Sequence, residues 1–173
     1  MSSPVKLFDE QEIQTRIEEL AQEISRSVPD DFMILGLLKG SFVFIADLAR
    51  ALYRVDRHPE IEFMRLSSYG LEKSSAGEVH LLGDCPMDLS GRHVLLVDDI
   101  ADTGRSIAYA RAILEQREVA RLWSCVLLDK PNRREVDVRV DFVGFTIDDV
   151  FVAGYGIDYA EKFRELPHIV VVE

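Results

Sequence analysis

Val94-Leu95-Leu96-Val97-Asp98-Asp99-Ile100-Ala101-Asp102-Thr103-Gly104-Arg105-Ser106 decides how this chain is read. It opens as an apolar, partly β-branched run, the pattern of a strand buried on both faces. Three carboxylates follow, then a turn of small residues, and a helical pattern resumes at Ile107, Ala110, Ile113 and Leu114. Strand, acidic edge, tight turn and helix start make a ligand site. The free N–H groups of the turn and the positive end of the helix suit a phosphate. Thr103, Ser106 and Arg105 add donors. The carboxylates ahead of the turn suit sugar hydroxyls, a metal or a proton. Together these groups ask for a phosphorylated sugar.

The 173 residues around this stretch are enough for one domain, 1–173, with a sizeable core. The net charge of −11 argues against a nucleic-acid surface and against an anionic membrane. A phosphate pocket is local and remains compatible with it. Cys85 and Cys125 stand alone, with no secretory signal and no Cys/His spacing for zinc, so a cytoplasmic location with reduced thiols is expected. No apolar run is long enough to span a bilayer.

Upstream, Asp9 and Glu12 form a capping-box pattern before Ile13, Ile17, Leu20 and Ile24, which predicts a structural amphipathic helix. Phe32 to Leu38 predicts a strand that enters Lys39-Gly40-Ser41. A helix follows, expected to turn Phe42, Ile45, Ala46, Leu48, Ala49 and Leu52 inward. This second strand–turn–helix unit offers a second anion site, although it lacks P-loop spacing. Ile61 to Tyr69 and Val79 to Leu82 predict strands, with a polar, Gly- and Ser-rich stretch between them that reads as a hairpin tip or a lid.

Downstream, Arg121 to Leu128 predicts another buried strand. It runs into Asp129-Lys130-Pro131-Asn132-Arg133-Arg134, a basic cluster of the kind that is usually a solvated loop. Lys130, however, falls just past the carboxyl end of a strand, where open α/β sheets bind ligands. Val136 to Val143 predicts a strand with one wet side. Phe151-Val152-Ala153-Gly154-Tyr155-Gly156-Ile157-Asp158-Tyr159 carries glycines that permit tight bends. Strands alternating with helices, with polar residues after strand ends, predict an α/β fold with a mainly parallel sheet.

The string from Asp98 to Gly104 resembles the ribose-phosphate signature of the phosphoribosyltransferases: two acids, two small or apolar residues, then Asp-Thr-Gly. It is similar to the purine-salvage branch, the bacterial-type hypoxanthine-guanine phosphoribosyltransferases. Asp98 stands where that branch usually has Glu, and Ala101 where it has a larger apolar residue. Leu38-Lys39-Gly40-Ser41 resembles the family's pyrophosphate loop, in which the bond matching Leu38–Lys39 is often a non-proline cis peptide. Ser68-Tyr69 matches a pair on a flexible loop that closes over the family's active site. Phe151 to Tyr159 resembles the purine- and metal-binding segment, with Ala153 in place of the commoner Val. Arg164 matches an arginine that contacts pyrophosphate. The resemblance runs from about Leu35 to Arg164, with its motifs in order.

The resemblance implies a type I phosphoribosyltransferase core with a small hood built from the N- and C-terminal parts of the chain. It implies a Mg²⁺-dependent enzyme. Hypoxanthine or guanine would react with 5-phosphoribosyl-1-pyrophosphate (PRPP) to give the purine mononucleotide and pyrophosphate. In that scheme Asp102, Thr103, Gly104, Arg105 and Ser106 hold the 5′-phosphate, and Asp98 and Asp99 hold the ribose hydroxyls. Lys39, Gly40 and Arg164 serve the pyrophosphate. Phe151, Lys130, Val152 and Asp158 serve the base, and Asp102 exchanges a proton with the purine N7. Asp158 is the metal ligand, with Asp98 and Asp99 as weaker candidates. Homo-oligomers, dimers or tetramers, are the family's habit.

Two other classes compete. A nucleic-acid-binding regulator on the same core would be expected to carry a basic face, and the overall charge shows none. A phosphatase of the aspartyl-phosphate type would need D-x-D-x-T spacing, but Ile100 and Ala101 interrupt it. A transferase for a different base is a third reading, against which Lys130 and the Phe151–Asp158 run favour 6-oxopurines.

Overall fold

The computed structural model of the protein describes residues 4–67, 79–83 and 88–172. In chain order its elements are β1 (Val5–Phe8), α1 (Glu10–Ser27), β2 (Met33–Leu38), α2 (Phe42–Arg54), β3 (Glu60–Ser67) and β4 (His80–Gly83). There follow β5 (His93–Ala101), α3 (Arg105–Gln116), β6 (Arg121–Asp129), β7 (Phe142–Thr146), β8 (Val152–Ala153) and β9 (Ile169–Val171).

Six strands form one sheet in the order β4-β3-β2-β5-β6-β7, parallel except for β4. The predicted α/β class is observed. The order reverses between β2 and β5. From β2 the chain moves through α2 to β3 on one side, and from β5 through α3 to β6 on the other. That reversal is a topological switch point, and it opens a crevice at the carboxyl ends of β2 and β5.

Alternation along the central strands feeds two cores. Ile34, Leu95 and Val97 pack with the buried face of α1 (Ile13, Ile17, Leu20, Ile24) and with α2. Met33, Leu35, Val94 and Leu96 pack with Ile107, Ala110 and Leu114 of α3. The capping box at Asp9 is formed: Glu12 N donates to Asp9 Oδ1, and Asp9 N donates to Glu12 Oε2, each at 2.8 Å.

The second sheet is small and antiparallel, in the order β1-β9-β8. It joins the N- and C-terminal parts as a hood, and Val152 and Ile169 merge into the α1/α2 core.

Two expectations need correction. α2 buries Phe44, Ile45, Leu48, Ala51 and Leu52, whereas Phe42 and Ala46 face outward. The helix starts directly at Phe42, so the face that meets the sheet begins two residues later. The strand expected at Val136–Val143 is instead Phe142–Thr146. Side chains and turns hold the preceding residues apart from the ladder. Ser124 N donates to Asp141 Oδ2 (2.9 Å), and Ser124 Oγ donates to the Arg139 carbonyl (2.7 Å). β7 joins β6 only from the Cys125–Phe142 pair onward.

Candidate active site

β5 delivers Asp98 and Asp99 to the crevice, and both are driven by burial. Asp98 is 8% exposed. Its Oδ1 accepts from Asp99 N at 2.8 Å, and Asp99 Oδ1 accepts from Ile100 N at 2.7 Å. Burial first, and the neighbouring Asp99 second, hold the Asp98 carboxyl well above the usual carboxylate range. Burial also raises Asp99, opposed by its hydrogen bonds and by the Arg164 guanidinium. Strand alternation starts the two side chains on opposite sides of β5, yet their carboxyls stay close enough to interact. Asp99 lies on the α2 side, where its carboxylate contacts Gly40 so closely that a Cβ there would collide with it. Gly40 is therefore required by close approach to Asp99.

The turn after β5 is built to present backbone. Gly104 caps α3 with φ +86°, a left-handed conformation that favours glycine. A Cβ there would also press on Val138 and on the Val136 carbonyl. The Thr103 carbonyl accepts from Glu135 N (2.9 Å) and Val136 N (3.3 Å), so it is turned away from the helix start. Arg105 pairs with Glu135 at 2.6 Å. What the turn offers a phosphate is thus its N–H groups, the Thr103 and Ser106 hydroxyls and the end of α3.

The second loop lies opposite. The Leu38–Lys39 peptide is cis. Lys39 Nζ donates to Glu161 Oε2 at 2.8 Å, and the Lys39 ammonium holds the Glu161 carboxyl below its usual range. Arg164 reaches the same place: it pairs with Asp158 (3.4 Å) and Glu161 (3.6 Å) and donates to the Gly156 carbonyl (2.8 Å). Asp158 Oδ2 accepts from Glu161 N at 2.8 Å. Gly156, with φ +92°, packs so close to the Gly40 carbonyl that a Cβ would sit 2.6 Å from it. Lys39, Gly40, Asp99, Asp158 and Arg164 are therefore gathered from three distant parts of the chain.

A third group follows β6. Lys130 is 5% exposed, and its Nζ lies 5.9 Å from the ring centroid of Phe151, which is 74% exposed. Val152 is buried in the hood strand β8, opposite Val171. Lys130 N donates to the Ala101 carbonyl at 2.9 Å, which ties this group to the end of β5. Asp102 is held from the same turn: Arg133 Nε donates to Asp102 Oδ1 at 3.1 Å. Ser68 and Tyr69 lie outside the described residues.

Sequence reading missed the fasteners. Arg134 donates to Asp129 (2.5 Å) and to the carbonyls of Ala101 (3.1 Å) and Asp102 (3.0 Å), locking the turn before α3 to the turn after β6. The only signal for Arg133 and Arg134 was a basic run, which reads equally well as a solvated loop. Glu161, the counter-ion of Lys39, carried no signal at all.

Among the described residues no group of three or more potential ligands could hold a metal unaided. The donor set suits a different arrangement. Mg²⁺ keeps several waters and binds through substrate phosphates plus one or two carboxylates, and Asp158 is one partly exposed carboxylate beside the Arg164 guanidinium.

Residues 6–160 match the phosphoribosyl transferase domain family. The chain belongs to the phosphoribosyltransferases. It is 47% identical to the hypoxanthine phosphoribosyltransferase of Escherichia coli K12 over 166 residues, covering 94% of this chain and 92% of that protein. It is 45% identical to the hypoxanthine-guanine phosphoribosyltransferase of Aquifex aeolicus, covering 96% and 93%. A crystal structure of a hypoxanthine-guanine phosphoribosyltransferase from Bacillus anthracis superposes with a TM-score of 0.90 at 40% identity, covering 97% of this chain and 98% of that one. The switch-point crevice lies within the span that matches the family, with the turn before α3 on one side and the Lys39 loop on the other.

Proposed function

We propose that this phosphoribosyltransferase serves purine salvage, joining hypoxanthine or guanine to the phosphoribosyl group of PRPP and releasing pyrophosphate. The observation that carries this reading is the pairing, across one crevice, of a phosphate turn at the start of α3 with a cationic cluster of Lys39 and Arg164. Their separation by Asp98 and Asp99 leaves a sugar's place between two phosphate sites.

In this reading the N–H groups from Thr103 to Ser106 bind the 5′-phosphate, Arg105 contributing its backbone while Glu135 holds its side chain. Asp98 and Asp99 accept from the ribose hydroxyls. Their charge also favours the positive charge that develops on the ribose as its bond to pyrophosphate breaks. Lys39, the Gly40 backbone and Arg164 stabilise the departing pyrophosphate. Mg²⁺ bound on the pyrophosphate would neutralise its oxygens, with Asp158 as the carboxylate it touches. Lys130 donates to the 6-oxo group, Phe151 stacks on the base, and the backbone at Val152 and Asp158 reads its other edge. A purine ring nitrogen attacks the anomeric carbon, the bonding pair leaves with pyrophosphate, and Asp102 takes the N7 proton.

Each free purine with PRPP and Mg²⁺ tests this, mononucleotide being followed by absorbance. Turnover of hypoxanthine or guanine, with adenine poor, is expected. No nucleotide from any purine overturns the reading.

The same reading carries a single domain over residues 1–173, a cytoplasmic location and an assembly of two or four copies. The shared core of the hood and α1/α2 supports the single domain. Among the described residues no helix is long and apolar enough to cross a membrane. Light scattering after size exclusion reads the assembly directly.

A further inference from the structure

The two halves of the pyrophosphate cradle come from different layers. One half is the Lys39–Ser41 loop at the start of α2, and the other is the turn from Gly154 to Asp158 with Arg164. Behind the cradle, away from the crevice, these halves are joined by a part-buried side-chain bond: the Tyr155 hydroxyl donates to Asp47 Oδ2. Asp47 sits on α2, little more than one turn from its start, and is held by two further side chains. Gln14 Nε2 of α1 donates to Oδ2 at 3.1 Å, and Arg50 pairs with Oδ1. Tyr155 is 3% exposed and has φ +52°, between Gly154 (φ +106°) and Gly156 (φ +92°). Burial and the Asp47 carboxylate both raise its hydroxyl pKa, so the group stays a donor.

The backbone of this turn faces the other way. Tyr155 N donates to the Leu166 carbonyl (2.8 Å) and Gly156 N to the Arg164 carbonyl (2.9 Å), while Arg164 returns a bond to the Gly156 carbonyl (2.8 Å). A displacement of Tyr155 therefore moves Gly156, Arg164 and, two residues on, Asp158. Its ring packs in the α1/α2 core, and the hydroxyl bond adds a direction to that packing. A groove of about 620 Å³ lies alongside, lined among others by Gln14, Val43, Asp47, Tyr155, Arg164 and Pro167.

We infer that Asp47 and Tyr155 are positioning residues: their bond is a strut that sets the separation of the Lys39–Gly40 loop from Arg164 and Asp158, and hence the affinity for the pyrophosphate end of PRPP. The inference rests on the functional reading above. The strut touches neither the base nor the 5′-phosphate turn itself; of the groups it carries, Gly156 and Arg164 serve the pyrophosphate and only the Asp158 backbone also meets the base, so its loss falls more heavily on PRPP than on the purine.

Tyr155→Phe removes only the hydroxyl, and Asp47→Leu removes the acceptor. Asp47→Asn keeps a neutral acceptor of the same shape. Initial rates in both substrates, calorimetric titration of Mg²⁺–PRPP without purine, and melting curves form the test. Tyr155→Phe and Asp47→Leu are expected to raise the KM and the calorimetric Kd for PRPP by about tenfold, the scale of a lost hydrogen bond to a charged group, with a much smaller change in the KM for hypoxanthine. Asp47→Asn should restore most of that loss. A Tyr155→Phe protein that melts earlier but binds PRPP as tightly as wild type overturns the strut, as does an equal rise in both KM values. Should Asp47→Leu not fold, Tyr155→Phe decides alone. A wild type that neither binds nor turns over PRPP overturns the functional reading instead, so the two failures are distinguishable.

Discussion

Arg133 holds Asp102. Its Nε donates to Asp102 Oδ1 at 3.1 Å, and the same guanidinium reaches Asp149 at 3.6 Å, just before Phe151. One side chain thus links the end of β5, the turn that carries Lys130 and the approach to Phe151. The pair is partly exposed, at 45% and 39% of the two side chains, so solvent screens it and its hold on Asp102 is weak. Arg133→Met should therefore lower kcat by no more than about fivefold, by freeing the Asp102 carboxylate to rotate. The KM for PRPP should not move. Steady-state kinetics read this, and an unchanged kcat would show that Asp102 needs no such partner.

Asp98 gives the fold a pH dependence. Its carboxyl titrates above the usual range because it is buried and faces Asp99. The native protein thus holds this proton more tightly than the unfolded chain. The resulting stability is full below the unfolded pKa, about 3.9, and is lost as pH rises through the higher native value. Above the unfolded pKa, burial of this carboxyl is therefore a cost to the native state. Asp98→Asn should melt higher than wild type at pH 7–8, by roughly 2–4 °C for each kcal/mol recovered, with the gap closing on acidification. It should also be a poorer enzyme. A lower melting temperature at pH 8 would mean that the Asp98 charge is compensated in the native state.

Much of this crevice was legible because it is local. The strand–turn–helix units at 94–106 and 32–42 carry their strand, glycine and helix start within a dozen residues, so their order along the chain is their order in space. What stayed hidden spans the chain. Lys39 and Glu161 are 122 residues apart, Asp47 and Tyr155 108, and Arg133 and Asp102 31. No periodicity records such pairs. The hood escaped in detail because β8 and β9 have two and three residues, too few for alternation to show. β7 was misplaced because Asp141 and Ser124 hold the preceding residues by side-chain bonds, while their sequence still alternates like a strand.

Lys130 has an unusual environment for a lysine, buried with its ammonium over the Phe151 ring. Lys130→Met keeps the aliphatic length and removes the donor. An unpaired 6-oxo group in a dry pocket costs roughly 1–3 kcal/mol. The kcat/KM for hypoxanthine should fall by about 5- to 150-fold while PRPP binding is retained. An unchanged preference for hypoxanthine over adenine would return Lys130 to a packing role.

Asp158 is one partly exposed carboxylate, and its partners are Arg164 and the Glu161 N–H. Excess chelator should abolish turnover. Asp158→Asn should raise the Mg²⁺ concentration needed for half-maximal rate more than it changes the KM for the free base. Full activity in chelator would exclude a metal-assisted departure of pyrophosphate.

Asp102→Asn separates chemistry from structure most sharply. The side chain lies between two units that are held without it. The backbone of its turn is fixed by Arg134 through the carbonyls of Ala101 and Asp102 and by the Thr103 carbonyl's bonds to residues 135 and 136. Gly104 and the start of α3, which present the phosphate N–H groups, do not depend on the carboxylate. Arg133 retains Asp149 as a partner. The substitution should therefore leave the melting temperature and the Kd for Mg²⁺–PRPP as they are. Asn keeps the size and can hydrogen-bond, but it cannot accept the N7 proton, and it removes a negative charge near the developing ribose cation. Loss of a general base costs on the order of 10²–10⁴-fold in rate, so kcat should fall by that factor. A wild-type kcat would remove Asp102 from the proton transfer and leave solvent or Asp98 and Asp99 to perform it. A variant that melts early and loses PRPP would instead make Asp102 a structural residue of the turn, contrary to the bonds that hold that turn by its backbone.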